Sequence, residues 1–195
     1  MNLATLAADG AGYRLLGAQL GFGEPGQMAG LGDMNGDGLA DLAITGPDGA
    51  AHIVFGQAGS ADIDLATLAA DSKGYSIVGG TDPIRGGAVL DDLNGDGLRE
   101  ILVHGGAGLG AYLVFGRTGG GDVSLDDVSQ GLGGLRIATP FDLPQLSVAG
   151  LSDMNGDGLP ETILGGLNVA PGGERAMAAY VLFGQANWAP DPPVL

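Results

Sequence analysis

The chain has 195 residues and a formal net charge of −16, from 23 acidic and 7 basic side chains. Nucleic acids and anionic membrane surfaces are bound through clusters of Lys and Arg, so this balance argues against both as partners, and the absence of Cys excludes disulfides, thiolate zinc sites and a thiol nucleophile. Apolar residues make up 45% of the chain, yet no apolar run approaches the ~18 residues that span a membrane, so we expect a packed fold without membrane insertion.

The predicted elements recur along the chain, because an acidic string that starts at Asp33 returns at Asp92 and Asp153. Two other patterns recur with the same spacing. The first copy of one is "NLATLAADGAGYRLLG" (2–17), and the first copy of the other, which ends in an aromatic residue and Gly, is in "HIVFGQ" (52–57). A period of this size is typical of repeat architectures. We divide the chain into blade-like repeats 1–57, 58–117 and 118–186 and a Pro-rich tail, 187–195.

Each repeat is predicted to hold four short antiparallel strands, since β-branched and aromatic runs alternate with Gly, Asn and Asp. In the second repeat these strands are predicted at 75–79, 86–91, 100–105 and 111–116. "LATLAAD" before the first of them is predicted to be one helical turn or a loop. The third repeat is predicted to have a longer hairpin between its last two strands. The fold class is therefore all-β.

A four-stranded unit of this period is typical of a β-propeller blade, and three blades are visible. Propellers usually close with about four to eight blades, so the three are expected to be a partial set. Two completions are possible: further blades in a longer parent chain, or self-association of two copies into a six-blade ring. The N-terminus resembles the middle of a repeat, which fits an excised piece of a larger protein.

The acidic strings predict metal sites. "DMNGDGLAD" (33–41) places side-chain oxygens at its first, third, fifth and ninth positions and a carbonyl at the seventh, with glycines that permit a sharp turn. The ligands in this string are Asp33, Asn35, Asp37, Leu39 (through its carbonyl) and Asp41. Oxygen ligands rich in carboxylates favour Ca²⁺ over Mg²⁺. An EF-hand would need Glu at the twelfth position, which is Ile44, Val103 and Leu164 in the three strings.

A purely structural explanation exists for one such string, because Asn-Gly and Asp-Gly are ordinary hairpin turns. Three copies that keep all four side-chain ligands favour about one Ca²⁺ per repeat, three per chain, with a structural role. Three divalent ions would change the net charge from −16 to −10. No motif supports a catalytic function, so we expect no enzyme activity.

The pattern D-x-N-G-D-G-x-x-[D/E] before a strand, followed by a hairpin ending in aromatic-Gly, resembles the FG-GAP repeat of integrin α-subunit β-propellers. It is still more similar to repeats of large calcium-dependent bacterial surface and secreted proteins. The resemblance covers about residues 2–186, although the Phe-Gly before the loop survives only as Phe22-Gly23. It implies an extracellular or cell-surface location. It implies further ligands at Asp92, Asn94, Asp96, Leu98 (carbonyl) and Glu100, and at Asp153, Asn155, Asp157, Leu159 (carbonyl) and Glu161.

We therefore predict a calcium-binding, integrin-α-like module that serves as a structural or adhesive scaffold, with loops that bind a protein or glycan ligand. One alternative is a carbohydrate-binding, lectin-like module of a secreted enzyme. It requires an aromatic platform, and the chain has only one Trp and four Tyr. The other alternative is a self-assembling three-blade unit without a ligand.

Other candidate residues have simpler interpretations. His52 aligns with Tyr112 and Tyr180, so we predict an ordinary strand residue, and His104 has no counterpart in the other repeats. "GAGLGA" (106–111) fits the loose dinucleotide pattern but precedes a predicted strand instead of a helix. "GGGDV" (119–123) is predicted to be a linker turn. Trp188 is predicted either to cap the fold or to be exposed.

Overall fold

A computed structural model describes residues 2–17, 28–46, 48–79, 83–105, 111–119, 121–138, 147–169, 175–186 and 188. Phe22-Gly23, most of the "GAGLGA" segment and most of the Pro-rich tail lie outside these residues. None of the helices in the described ranges is long and apolar enough to cross a membrane.

Short strands dominate the described chain, and the prediction of an all-β protein is confirmed. The first strands are β1 (Leu15–Leu16), β2 (Met28–Gly32), β3 (Asp41–Thr45), β4 (Ala50–Val54), β5 (Ile63–Asp64), β6 (Gly74–Val78) and β7 (Ile84–Val89). The remaining strands are β8 (Ile101–Gly105), β9 (Ala111–Val114), β10 (Val123–Ser124), β11 (Gly134–Ile137), β12 (Ser147–Leu151), β13 (Glu161–Val169) and β14 (Arg175–Phe183).

The strands form three main sheets. The first sheet has the order β2-β3-β4-β6-β10, the second β7-β8-β9-β11, and the third β12-β13-β14. Neighbouring strands within these sheets are antiparallel, except that the short β10 runs parallel to β6. The two-residue strands β1 and β5 form a separate parallel pair.

In each of the first two sheets the strand next to the three strands of its own repeat, called the outer strand below, comes from the following repeat: β6 in the first sheet, with the short β10 beyond it, and β11 in the second. β6 pairs with β4, with Tyr75 opposite Ile53, and β11 pairs with β9, with Leu135 opposite Leu113. The prediction that 75–79 begins the second four-stranded unit is therefore wrong. The other strands predicted for that repeat appear close to their expected positions as β7, β8 and β9. A sequence period gives the spacing of strands, but it does not say which neighbouring copy each strand pairs with.

The sequence predicts one helical turn or a loop for the "LATLAAD" segments, and the structure shows the helical turn. Leu3–Thr5 and Leu65–Thr67 are 3-10 helices, and the third copy is the short α-helix α1 (Leu125–Ser129). Side chains just before them accept backbone N–H bonds and cap the turns: Asn2 from Ala4 at 3.0 Å and Asp64 from Ala66 at 2.9 Å. The longer hairpin of the third repeat is also confirmed, because β13 and β14 are nine residues each.

The core consists of apolar layers between sheets. The first cluster joins the first sheet to the second, and the second cluster joins the second sheet to the third. The first includes Leu31, Met34, Ile53, Phe55, Tyr75, Ile77, Ile84, Ile101, Val103 and Val114. The second includes Leu90, Leu93, Leu102, Leu113, Leu164, Val148 and Leu182. A third cluster, with Leu42, Val54, Ile63, Leu65 and Leu68, covers the other face of the first sheet and includes Tyr13 and Leu15 of the N-terminal segment.

Glycine is required where each outer strand begins. A Cβ atom on Gly74 would lie 1.9 Å from the carbonyl oxygen of Ile53, and one on Gly134 would lie 2.2 Å from that of Leu113. These glycines have φ angles of +149° and +159°. The close approach lets the outer strand pair along its whole length.

We expect Gly74→Ala to lower the free energy of unfolding by about 1–3 kcal/mol, because the added methyl group collides with backbone that cannot rotate away. The matched control is Gly30→Ala in β2, where a Cβ would meet nothing within 4 Å. Urea unfolding followed by circular dichroism measures both. Equal stability of the two variants would contradict the requirement for glycine.

Candidate metal sites

The three acidic strings connect antiparallel strands at the same position of each sheet. Residues 33–40 join β2 to β3, residues 90–100 join β7 to β8, and residues 152–160 join β12 to β13. The two glycines of each string have positive φ angles, from +75° at Gly95 to +90° at Gly158. The prediction of a tight, glycine-dependent loop inside a β-hairpin is confirmed, and the term "acidic loop" denotes each of these strings below.

The first aspartate of each acidic loop organises the backbone around it. In the second loop Asp92 Oδ1 accepts the N–H groups of Gly95 at 2.6 Å and Asp96 at 3.0 Å, and Oδ2 accepts that of Gly97 at 2.8 Å. Asp33 and Asp153 accept bonds from the corresponding glycines. The N–H of Gly38 makes the largest contribution to holding the pKa of Asp33 below its usual value. The pKa of Asp153 is lowered in the same way, so in these two loops the bonds favour the ionised carboxylate that a cation needs.

The third and fifth residues of each loop bond to one another. Asn94 Oδ1 accepts the backbone N–H of Asp96 at 2.9 Å, and Asn94 Nδ2 donates to Asp96 Oδ2 at 3.0 Å. Asp96 Oδ1 then accepts the N–H of Leu98 at 2.8 Å. The same three contacts occur in the first and third loops. Each carboxylate oxygen has a second lone pair, so these bonds leave acceptor capacity for a metal ion.

The ninth residue is the buried member of each loop. Glu100 and Glu161 are 0% exposed and Asp41 is 3% exposed. Glu100 Oε2 accepts the N–H of Leu93 at 2.6 Å, and Glu161 Oε2 accepts that of Met154. In both glutamates Oε1 is buried without a hydrogen-bond partner. A buried carboxylate oxygen without a partner is costly, and a proton or a cation would remove that cost.

The pKa of Glu100 is raised to about 7, chiefly by burial and in part by the charges of Asp96 and Asp92. Desolvation and two nearby like charges both disfavour the ionised carboxylate. A divalent cation in the loop would reverse this balance, because it would be the largest local charge. Three ionised carboxylates in the second loop are thus unfavourable without a positive ion, and such an ion would stabilise them.

Two of the acidic loops bring three carboxylates together closely enough for a shared ion. One oxygen from each of Asp92, Asp96 and Glu100 lies within 4.8 Å of the others, and the same holds for Asp153, Asp157 and Glu161. Among the described residues the trio of Asp33, Asp37 and Asp41 does not form such a group. Asp41 is one methylene shorter than Glu, and its two oxygens accept the N–H groups of Met34 at 2.7 Å and Gly56 at 2.8 Å.

The donors present fit a hard divalent cation, because every side chain predicted as a ligand offers oxygen. The side chains predicted as ligands are brought together in the second and third loops. In the first loop they occupy the same positions with a wider carboxylate arrangement. The carbonyls of Leu39, Leu98 and Leu159 stay predicted ligands.

Neighbouring acidic loops also contact one another, which sequence reasoning missed. The Leu98 side chain lies against Gly36, 3.4 Å from where its Cβ would be, and Leu159 lies 3.2 Å from the same point on Gly95. Arg99 joins the second loop to the first sheet, since Nη1 donates to the Leu31 carbonyl at 3.0 Å and Nη2 to Asp91 at 2.8 Å. The Leu that recurs at the seventh position of each string is the feature of the sequence that could have indicated a contact between neighbouring loops.

The residues with simpler interpretations fall into strands. His52 lies in β4, nearly buried, with its ring nitrogens 3.0 Å from Ser76 Oγ and 3.0 Å from Asp48 Oδ2. The prediction of a strand residue is confirmed. His104 lies in β8, and residues 111–114 after "GAGLG" form β9 instead of the helix that a dinucleotide fingerprint requires. Trp188 packs against the second cluster.

Comparisons of the chain with protein-family models, with curated proteins and with solved structures find no match. The FG-GAP resemblance therefore stays a prediction that rests on the residues of the acidic loops and the segments around them.

In chelator at pH 8 we expect Glu100→Gln to raise the free energy of unfolding by about 1–3 kcal/mol, because a neutral isostere replaces a desolvated charge. The matched control is Asp126→Asn, an acid in the exposed first turn of α1. Thermal or urea unfolding of the metal-free protein measures the change. A loss of stability in Glu100→Gln, compared with the control, would show that the carboxylate is already neutralised by other means.

Proposed function

We propose that the chain is a calcium-binding β-propeller module, in which each acidic loop holds one Ca²⁺. The observation that carries this proposal is the pair of fully buried glutamates, Glu100 and Glu161, each with an unpartnered Oε1 and a carboxylate oxygen within 4.8 Å of two aspartates. An acidic hairpin turn with no metal would place its last acid in water, where it costs nothing. Burial of that acid is favourable only when something neutralises it.

Calcium suits these loops better than magnesium. Each loop offers three carboxylates, one carboxamide oxygen and a carbonyl within nine residues, and Ca²⁺ takes six to eight oxygens in flexible geometry. Mg²⁺ requires a tighter octahedron and keeps several of its waters. A loop of many protein oxygens would have to displace those waters.

The role of the ion is structural. Each loop joins two strands of a sheet, and in the second and third loops the leucine at the seventh position contacts the preceding loop, at Gly36 and Gly95 respectively. An ion that closes a loop also fixes the strand entry and the contact with the neighbouring sheet. Because the unfolded chain has no such site, the binding free energy adds to the free energy of folding.

The propeller architecture is supported by the way the sheets pack. Apolar clusters join consecutive sheets face to face, and the outer strand of each of the first two comes from the following repeat. Repeated small sheets that pack in this way are typical of propeller blades. We further propose that the module acts outside the cell as a rigid adhesive scaffold, whose surface loops contact a protein or glycan ligand.

We expect isothermal titration calorimetry of the whole chain to find three Ca²⁺ sites, with the first loop weaker than the other two. The first loop is weaker because Asp41 is shorter and already accepts two N–H bonds. Asp92→Asn combined with Asp96→Asn should remove one site, while the same change at Asp126 and Asp127 of α1 should remove none.

Calcium at 100 times its dissociation constant should add about 2.7 kcal/mol of stability per site. Absence of calcium binding at millimolar concentration would refute the proposed function, and equal occupancy by Mg²⁺ would refute its selectivity.

A further inference from the structure

The strand β1 has the features of an outer strand whose sheet is missing. It pairs with β5 as β6 pairs with β10, and the Arg14 N–H donates to Asp62 at 2.9 Å just as the Ser76 N–H donates to Asp122 at 2.9 Å. β6 has a second neighbour, β4, on its other edge. In the part of the chain that the structure describes, β1 has no strand on that edge.

The third sheet has the opposite deficiency. Its strand β14 corresponds to β4 and β9 through the aromatic-Gly pattern, and those strands carry β6 and β11 on their outer edges. The described part of the third sheet ends at β14, with no outer strand. Among the described residues, one end therefore presents an outer strand without a sheet, and the other presents a sheet without an outer strand.

The exposed face of the third sheet confirms that a neighbour is missing at this end. Equivalent positions are buried in the first two sheets, where Met34 is 1% and Leu93 0% exposed, whereas Met154 is 65% exposed. On β14, Val181 is 44% and Phe183 50% exposed. Natural chains seldom leave several large apolar side chains of one region in water without a partner.

The acidic loops repeat this asymmetry. Leu98 and Leu159 each pack against a glycine of the preceding loop, but Leu39 is 39% exposed. Gly156, the equivalent glycine of the third loop, has nothing within 4 Å of its Cβ position. Leu39 at one end and Gly156 at the other are thus the two halves of a contact that the molecule already makes twice.

We infer that two copies of this chain associate head to tail, with β1 of each copy adding antiparallel to β14 of the other as the fourth strand of its third sheet. Residues 12–14, which directly precede β1, correspond to the first residues of β6 and would belong to the same added strand. The registers of β6 on β4 and of β11 on β9 predict their partners: Gly12 opposite Leu182, Tyr13 opposite Val181, and Arg14 opposite Tyr180. Gly12 already has a φ angle of +159°, as Gly134 has at the start of β11.

A second copy is the occupant because the two ends lie on opposite sides of the stack of three sheets. With the three described sheets alone they could meet only if three sheets closed a ring, and propellers have about four to eight. Two copies supply six sheets. Each copy adds its β1 to the third sheet of the other copy, so that both strands and both sheet edges are paired. This inference extends the proposed propeller module but uses none of the metal-ligating side chains, since Leu39 takes part through its side chain and not through the carbonyl that is predicted as a ligand.

The first test is sedimentation velocity of the whole chain in calcium and in chelator, with calcium occupancy measured separately. We expect a dimer, and we expect Val181→Asp to raise its dissociation constant at least about 100-fold, because a charge without a partner would be buried in the contact. The matched control is Leu132→Asp, an exposed apolar position before β11, which should leave the dimer intact. Circular dichroism verifies that both variants fold.

The second test uses the absence of cysteine in the chain. Arg14→Cys with Tyr180→Cys should form an interchain disulfide on mild oxidation, since directly opposed residues lie within bridging distance. Arg14→Cys with Ala179→Cys, one residue out of register, should form far less. A monomer at ~100 µM would overturn the inference, as would open-ended oligomers or equal cross-linking of the two pairs. A monomer that binds calcium would overturn the dimer but leave the proposed metal sites standing. A dimer whose chains bind no calcium when calcium is supplied would refute only the metal sites.

Discussion

Each of the first two sheets is completed by a strand of the following repeat, and the packing between repeats follows from this pairing. Because β6 completes the first sheet and β11 the second, each repeat is held to its neighbour by backbone hydrogen bonds as well as by apolar packing. The layer between sheets then forms from residues of both repeats. The acidic loops are placed in a row by the same arrangement, since each follows the strand at the equivalent edge of its sheet.

Charge and packing are coupled at the ninth residue of each acidic loop. Glu100 and Glu161 are drawn into the apolar interior by the strands that begin next to them, and there they accept N–H bonds from Leu93 and Met154. At Glu100, burial raises the pKa to about 7, so the ionised carboxylate is disfavoured there. In the proposed metal site, binding of an ion and packing of the sheet would be parts of one equilibrium, in which a change in either alters the other.

Much of the hairpin chemistry could be predicted from the sequence, because the relevant constraints are local. Gly36 and Gly38 had to adopt positive φ, and the alternation after Asp41 required a strand. The pairing of residues 75–79 could not be predicted, since its cause is the contact with β4 and not any property of the segment itself. The burial of Glu100 was equally hidden: in the sequence it resembles Asp92 and Asp96, and only the fold separates them.

The composite sheets also affect the order in which the chain can fold during synthesis. The first sheet has all its long strands only after Val78 has left the ribosome, although its own repeat ends some twenty residues earlier. N-terminal segments generally begin to fold first, but the first sheet cannot add β6 until that strand of the next repeat has been synthesised. The first sheet thus matures only while the second is being made. The third sheet, made last, has no later repeat among the described residues to supply its strand.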